Sequence, residues 1–450
     1  MSRPPAPPRR ARSNPVPPGA ALRADAARAL ARIALDGVSL RSALAEANQR
    51  VADPRDRALL AASLFESSRW WLRFDAALAR LLEKPLPPKA RDVRALLVLA
   101  FAQLAVLGLP EYAVVAASVE AVRALGQPQF AGLANALLRR FLRERAALDA
   151  ELDRDASLRH AHPRWLIEAI ERDWPEQATA ILAANNREAP LTLRVNRRRT
   201  TREALLARFV EAGIAARAPD GLADALVLDD STDVTRLPGY ADGAFSVQDG
   251  AAQRVAELLA PAAGMRVLDA CAAPGGKSAH LLERADVDLL ALDADPARLP
   301  RVRENLERLG LAATVVVGDA GEPAAWWDGR PFQRILVDAP CSATGIVRRQ
   351  PDIKLHRRGA DVAPLVAGQL RLLAALWPLL APGGRLLYAT CSLLRAENEG
   401  VLAEFLRGRD DARAMPLDER CGHAAGIGRQ NLPGEGGMDG FYYALVEKQA

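Results

Sequence analysis

The chain has 450 residues, half of them hydrophobic and 26% charged, with a formal net charge of +5. That length exceeds what one core supports, so two or three domains are expected. Four cysteines, Cys271, Cys341, Cys391 and Cys421, lie too far apart for a zinc site, and no apolar segment opens the chain as a secretory signal would. The reading is therefore a cytoplasmic protein with free thiols and no metal. The longest apolar stretch, 95 to 110, contains Gln103 and is too short to cross a bilayer. Most of the positive charge is arginine, whose forked guanidinium suits phosphate and favours a polyanionic partner.

In chain order, residues 1–20 read as a disordered basic tail rich in proline, with Arg3, Arg9, Arg10 and Arg12. Residues 21–150 are helical throughout, with Ala and Leu at three- and four-residue steps. Asp53-Pro54 supplies an N-cap followed by a first-turn proline. The run Phe130 to Arg140 passes from apolar to basic, as a packed helix with a solvated end or an RNA-facing surface would. Residues 151–240 read as a small α/β module, with strands over 191–196 and 225–230 and a helix over 200–213. Its cluster Arg194, Arg197, Arg198 and Arg199 is a candidate phosphate contact.

From 241 to 450 strands and helices alternate. Strands are expected over 266–269, 288–293, 313–317, 335–338 and 385–388, with helices over 276–284, 296–309 and 361–380. Such alternation predicts a doubly wound, mainly parallel sheet, whose ligands gather beyond the carboxyl ends of the strands.

The turn Cys271-Ala272-Ala273-Pro274-Gly275-Gly276-Lys277 follows the first of these strands. It is neither a phosphate-binding Walker loop nor a dinucleotide fingerprint, because the required glycines are absent. Asp293 at the end of the second strand is placed to accept from ribose hydroxyls, and Asp319 after the third to read an adenine amino group. A nucleoside without a demanding phosphate cradle is indicated, and S-adenosylmethionine fits.

Asp338-Ala339-Pro340-Cys341 and Ala389-Thr390-Cys391-Ser392 each follow a buried strand, so two thiols and a carboxylate should face one crevice. A thiolate adding to carbon six of a pyrimidine makes carbon five nucleophilic enough to take a methyl group. Helix amino termini, Arg348, Arg349 or Lys354 should supply the positive potential that such a thiolate needs. Asp338 is placed to hold the exocyclic amine or N3 of cytosine. These residues do not decide which thiol attacks. Cys271 and Cys421 read as small buried hydrophobes.

Together, the glycine turn, Asp293, Asp319, Asp338-Ala339-Pro340-Cys341-Ser342 and Ala389-Thr390-Cys391-Ser392 resemble the Sun-type RNA cytosine-C5 methyltransferases. Arg348-Arg349-Gln350-Pro351-Asp352-Ile353-Lys354 and Arg429-Gln430-Asn431-Leu432-Pro433 are similar too. The helical region resembles the NusB-like RNA-binding domain of bacterial members that modify 16S ribosomal RNA. The resemblance implies three parts: an all-α NusB-like domain, a small α/β linker module, and a Rossmann-like domain dependent on S-adenosylmethionine. It makes Cys391 the nucleophile and Cys341 the second cysteine, which assists product release. It also makes Cys271, Ala272, Ala273, Pro274, Gly275, Gly276, Lys277, Asp293, Asp319 and Asp338 cofactor contacts, with Asp338 also facing the base. The implied partner is 16S ribosomal RNA, naked or partly assembled. The same chemistry on tRNA, or a non-catalytic RNA-binding assembly factor, are the alternatives.

Overall fold

The computed structural model describes residues 19–230 and 232–449, so residues 1–18 of the basic tail, with its arginines, lie outside the described residues. The chain divides into two compact units. One holds residues up to Pro163 together with Lys354–His356, and the other holds Arg164–Ile353 and Arg357–Ala450.

The first unit is helical. Ala20–Asp36, Pro54–Arg69, Arg91–Ala105 and Ala131–Leu152 are its longest helices. Asp53 caps the second of these by accepting from Arg55 N at 2.7 Å, as the Asp-Pro pair predicts. Small residues such as Ala27, Ala31 and Ala100 are fully buried, which lets the helices approach closely. Phe101 stacks on Phe141 with centroids 4.0 Å apart, and Phe74 meets both rings edge-on. Gln103, the polar residue in the apolar run, is buried but satisfied. It accepts from Arg23 Nε and donates to Ser63 Oγ, each at 2.8 Å.

The second unit begins with helices Arg164–Asp173 and Ala178–Asn185. A small antiparallel sheet follows, built from β1 (Leu191–Val195), β2 (Ala216–Arg217), β3 (Ala225–Leu228) and β4 (Phe245–Val247) in the order β2-β3-β1-β4. Helix Arg202–Glu211 packs on it through Leu205 and Phe209.

The large sheet has nine strands: β5 (Arg266–Asp269), β6 (Asp288–Asp293), β7 (Thr314–Val317), β8 (Phe332–Asp338), β9 (Leu380–Thr390), β10 (Ala412–Met415), β11 (His423–Ala425), β12 (Gly428–Asn431) and β13 (Phe441–Lys448). Their order is β11-β12-β13-β9-β8-β5-β6-β7, with β10 also on β13. Strands β5 to β9 pair in parallel. The four carboxyl-terminal strands form an antiparallel wing. The sheet is thus mixed, and the expectation of a mainly parallel one omits this wing. Val267, Leu268, Ile335, Leu336, Leu386 and Leu387 are fully buried between covered faces, which explains the continuous apolar runs of these strands.

Among the described residues, Gly359–Leu379 has the length and mean apolarity of a membrane span, although Asp361 and Arg371 interrupt it. Its Leu372, Leu373 and Leu376 pack into the sheet core, which accounts for that composition.

Candidate active site

Strands β8 and β9 are parallel neighbours with Asp338 opposite Ala389. Ala339 N donates to Ala389 O at 2.9 Å just beyond the strand ends, so the two chains leave the sheet side by side. That register brings the two thiols together, with Cys341 Sγ 3.5 Å from Cys391 Sγ. Cys341 is buried and Cys391 partly exposed. The Cys391 carbonyl accepts from Gly345 N, and the Gly345 carbonyl accepts from Gly440 N, both at 2.8 Å. A Cβ on Gly345 would lie 2.3 Å from the Gly440 carbonyl oxygen, so the close approach that holds the Cys391 loop requires glycine there.

The glycine turn lies beyond β5. Gly275 has φ 95° and caps helix Gly276–Arg284. A Cβ there would stand 3.1 Å from Val302 Cα. The turn delivers Lys277 to the first helical position but one, with Nζ 2.6 Å from Asp338 Oδ2 and 5.2 Å from the centre of the Phe441 ring on β13. Burial disfavours the Lys277 ammonium, but Asp338 and the neighbouring Cys391 outweigh it and raise its pKa. A fixed cation therefore stands within electrostatic reach of Cys391.

Three carboxylates line the ends of the first three parallel strands. Asp293 is buried and accepts from Ala273 N (2.9 Å) and Asp295 N (3.1 Å), one bond to each oxygen. A carboxylate has about four acceptor positions, so two remain open, with Arg298 Nη1 3.6 Å from Oδ2. Asp319 accepts from Gly321 N at 2.8 Å, and Arg371 Nη2 sits 2.8 and 3.0 Å from its two oxygens. Reading an adenine amino group would require sharing Asp319 with that arginine. Asp269 is fully buried at the end of β5. Its Oδ2 accepts the Ser278 hydroxyl at 2.6 Å, while Oδ1 has no partner in hydrogen-bonding geometry among the described residues. Burial pushes its pKa up to about 6, against the lowering effects of Ser278, Lys277 and the Cys271 backbone N–H, which lies near the carboxyl but outside good hydrogen-bonding geometry.

Of the remaining cofactor candidates, Ala272 and Ala273 are buried, and Pro274 is exposed with its carbonyl accepting from Asn305 at 2.9 Å. The Gly276 carbonyl accepts from Arg194 Nη1 at 2.6 Å. Cys271 is partly buried in the turn, and burial first, then Asp338, pushes its thiol up. Cys421 is buried in the core.

Several expectations need correcting. Arg194 does not face solvent or phosphate. It is fully buried in a forked pair with Glu283 (2.8 and 2.7 Å) and also donates to Gln248 Oε1 at 2.6 Å. Arg197, Arg198 and Arg199 do remain exposed. Arg348 and Arg349 do not supply potential to the thiols. Arg348 donates to the carbonyls of Glu188, Gly437 and Met438, and Arg349 to Asp249 and Asp439. Lys354 Nζ donates to the Arg69 carbonyl within the helical unit. Lys277 takes the place assigned to them. Asp269, Phe441 and Glu397, which accepts from Ser342 N beside Cys341 at 2.8 Å, also belong to the site. An acid closing the first strand was the visible signal for Asp269. Nothing local marked the other two.

Among the described residues, no group of three or more His, Cys, Asp or Glu is placed to hold a metal ion.

The family model described as 16S rRNA methyltransferase RsmB/F matches residues 256–447. A ferredoxin-like domain model of the same group matches 162–235, and the NusB family model matches 20–143. Ribosomal RNA small subunit methyltransferase B of Xanthomonas campestris pv. campestris is 51% identical over 433 residues, covering 96% of this chain and 98% of that protein. The crystal structure of PH0851 superposes over 97% of this chain and 100% of its own, with TM-score 0.80 at 22% identity. A methyltransferase homologue from Pyrococcus horikoshii covers 65% of this chain and 97% of its own, with TM-score 0.58 at 28% identity. The three layers of similarity correspond to a NusB-like helical domain, a ferredoxin-like module and a Rossmann-like methyltransferase domain.

Proposed function

Because the chain belongs to the RsmB/F family of 16S rRNA methyltransferases, we propose that it methylates carbon five of a cytosine in 16S ribosomal RNA, with S-adenosylmethionine as methyl donor and a transient bond from Cys391 to carbon six. The observation that carries this reading is the pair of sulfurs 3.5 Å apart beside the Lys277–Asp338 ion pair.

Carbon five of cytosine is a weak nucleophile until a thiolate adds at carbon six, which divides one hard step into easier ones. Cys391 is the better attacker because it is the more exposed of the pair. Cys341 is held as a neutral thiol, first by its hydrogen bond with Cys391 and then by burial. Its S–H can stabilise a thiolate on Cys391, and Lys277, within electrostatic reach of Cys391, adds positive potential. After methyl transfer, the carbon-five proton must leave before the bond from sulfur to carbon six can break. Cys341, 3.5 Å from Cys391, serves as the base that takes this proton once its own has passed to solvent. Asp338, anchored by Lys277, is partly exposed and can accept from the exocyclic amine that distinguishes cytosine from uracil.

When bound, S-adenosylmethionine supplies an electrophilic methyl group. The residues present suit it. Asp293 retains acceptor capacity for two ribose hydroxyls. The unpartnered Oδ1 of Asp269 suits the ammonium of the amino-acid end. The target base must be turned out of any stem, at a cost of roughly a few kcal/mol, so naked or partly assembled RNA is the easier substrate. Exposed Arg199 favours such a polyanion, while the neighbouring Arg197 and Arg198 pair with Asp224 and Asp286.

The test is Cys391→Ala. Transfer of methyl from labelled S-adenosylmethionine to 16S RNA should vanish while cofactor affinity stays within about twofold. Normal turnover in that variant would end the covalent reading.

A further inference from the structure

Glu397 is fully buried between the two cysteine loops. Its Oε1 accepts from Ser342 N (2.8 Å) and Gln369 Nε2 (3.2 Å). Its Oε2 accepts from the hydroxyls of Ser342 (2.5 Å) and Ser392 (2.6 Å). Ser342 directly follows Cys341, and Ser392 directly follows Cys391. One carboxylate thus joins the residue after each thiol. Its backbone is fixed as well, because Tyr388 on β9 donates its hydroxyl to the Glu397 carbonyl at 2.7 Å. Thr344 closes the cluster, with Oγ1 3.2 Å from Ser342 Oγ and accepting from Leu393 N at 2.9 Å.

We propose that Glu397 is a positioning residue for the thiol pair: it sets the separation of the two sulfurs and biases their shared negative charge onto Cys391. This rests on the covalent reading given above. Four donors saturate the four acceptor positions of the carboxylate, so its geometry is determined from both loops at once. Among the described residues all four donors are neutral groups. A buried charge without a counter-ion is costly, and a neutral amide could bridge the two loops more cheaply. What the charge adds is a fixed negative potential beside Cys341. The Cys341 pKa is raised by the hydrogen bond to Cys391, by burial, and by the charges of Cys391 and Glu397. A proton kept on Cys341 leaves Cys391 as the sulfur that carries the anion, with Lys277 within electrostatic reach of it.

The experiment follows iodoacetamide labelling of the Cys341 and Cys391 peptides by mass spectrometry from pH 6 to 9, alongside kcat and KM, in the wild type and Glu397→Gln. In the wild type Cys391 should label at least tenfold faster than Cys341 at pH 7.5. In Glu397→Gln the ratio of Cys341 to Cys391 labelling should rise at least fivefold. Its kcat should fall at least tenfold, with KM for RNA and for S-adenosylmethionine within twofold. An unchanged labelling ratio overturns the proposal, as does a loss confined to KM or melting temperature. If Glu397→Gln does not fold, Ser392→Ala leaves the carboxylate with three donors. It should move the labelling ratio in the same direction by about twofold or more, and no movement there is equally fatal. Cys391→Ala is assayed in parallel. Turnover by that variant defeats the covalent reading, whereas an inactive Cys391→Ala beside an unaltered Glu397→Gln defeats the Glu397 proposal alone.

Discussion

Replacing Asp269 with Asn should stabilise the protein at pH 8 while weakening its hold on S-adenosylmethionine. The Asp269 carboxyl is fully buried, and its pKa is pushed from 3.8 up to about 6 by that burial. The folded chain therefore holds this proton more tightly than the unfolded chain does. Stability from this group is complete below pH 4, declines as pH rises from about 4 to 6, and stays reduced above that. A rise from 3.8 to about 6 corresponds to about 3 kcal/mol of penalty at pH 8. Asn is nearly isosteric, stays neutral at every pH, and can still accept from the Ser278 hydroxyl. Urea unfolding of the cofactor-free protein at pH 4, 6 and 8 is the assay. The variant should match the wild type at pH 4 and exceed it by up to about 3 kcal/mol at pH 8. Calorimetry at pH 8 should show cofactor binding weakened by about 1.5–3 kcal/mol, the usual worth of a hydrogen bond to a charged group. Parallel stability profiles across the pH range would refute the burial argument. Unchanged cofactor affinity would refute the ammonium contact.

Cys341→Ala should let the RNA adduct persist as a slow band on a denaturing gel, and absence of that band removes Cys341 from product release. Asp293→Ala should weaken cofactor binding by about 1–3 kcal/mol, because Ala273 N loses its buried acceptor and the ribose loses its partner. Calorimetry indistinguishable from wild type contradicts this. Arg194→Met leaves Glu283 buried without its cation and frees the Gly276 carbonyl, so urea unfolding should report a loss of about 3–5 kcal/mol. A loss below about 1 kcal/mol would mean that the pair is dispensable.

Much of the methyltransferase half is legible in the sequence because its parallel strands are buried on both faces. Arg266–Asp269 and Asp288–Asp293 have the bounds expected from their apolar runs. The two cysteine peptides converge because each follows one of two neighbouring parallel strands, a consequence of topology that the alternating pattern already implies. The antiparallel wing was not legible. His423–Ala425 and Gly428–Asn431 are short, rich in small and polar residues, and carry no alternating apolar signal. They are strands because Phe441–Lys448 offers them a ladder, and Gly428 is needed where a Cβ would fall 2.3 Å from the Tyr443 carbonyl. Phe441 came with that wing, so its place under Lys277 was hidden too. Arg194 looked like a surface arginine because its partner, Glu283, is 89 residues away in the chain. Composition cannot separate a buried paired arginine from a solvated one. Glu397 was invisible for a similar reason. Its role comes from two serines, one of them 55 residues earlier on a different loop.

The most direct measurement is to trap the enzyme on 16S RNA transcribed with 5-fluorocytidine, where fluorine at carbon five blocks the proton loss that frees the thiol. Protease digestion and mass spectrometry then identify the residue bonded to the base. Attachment at Cys391, dependent on added S-adenosylmethionine, is the predicted result. Attachment at Cys341, or no covalent product from an enzyme that methylates ordinary RNA, would contradict it.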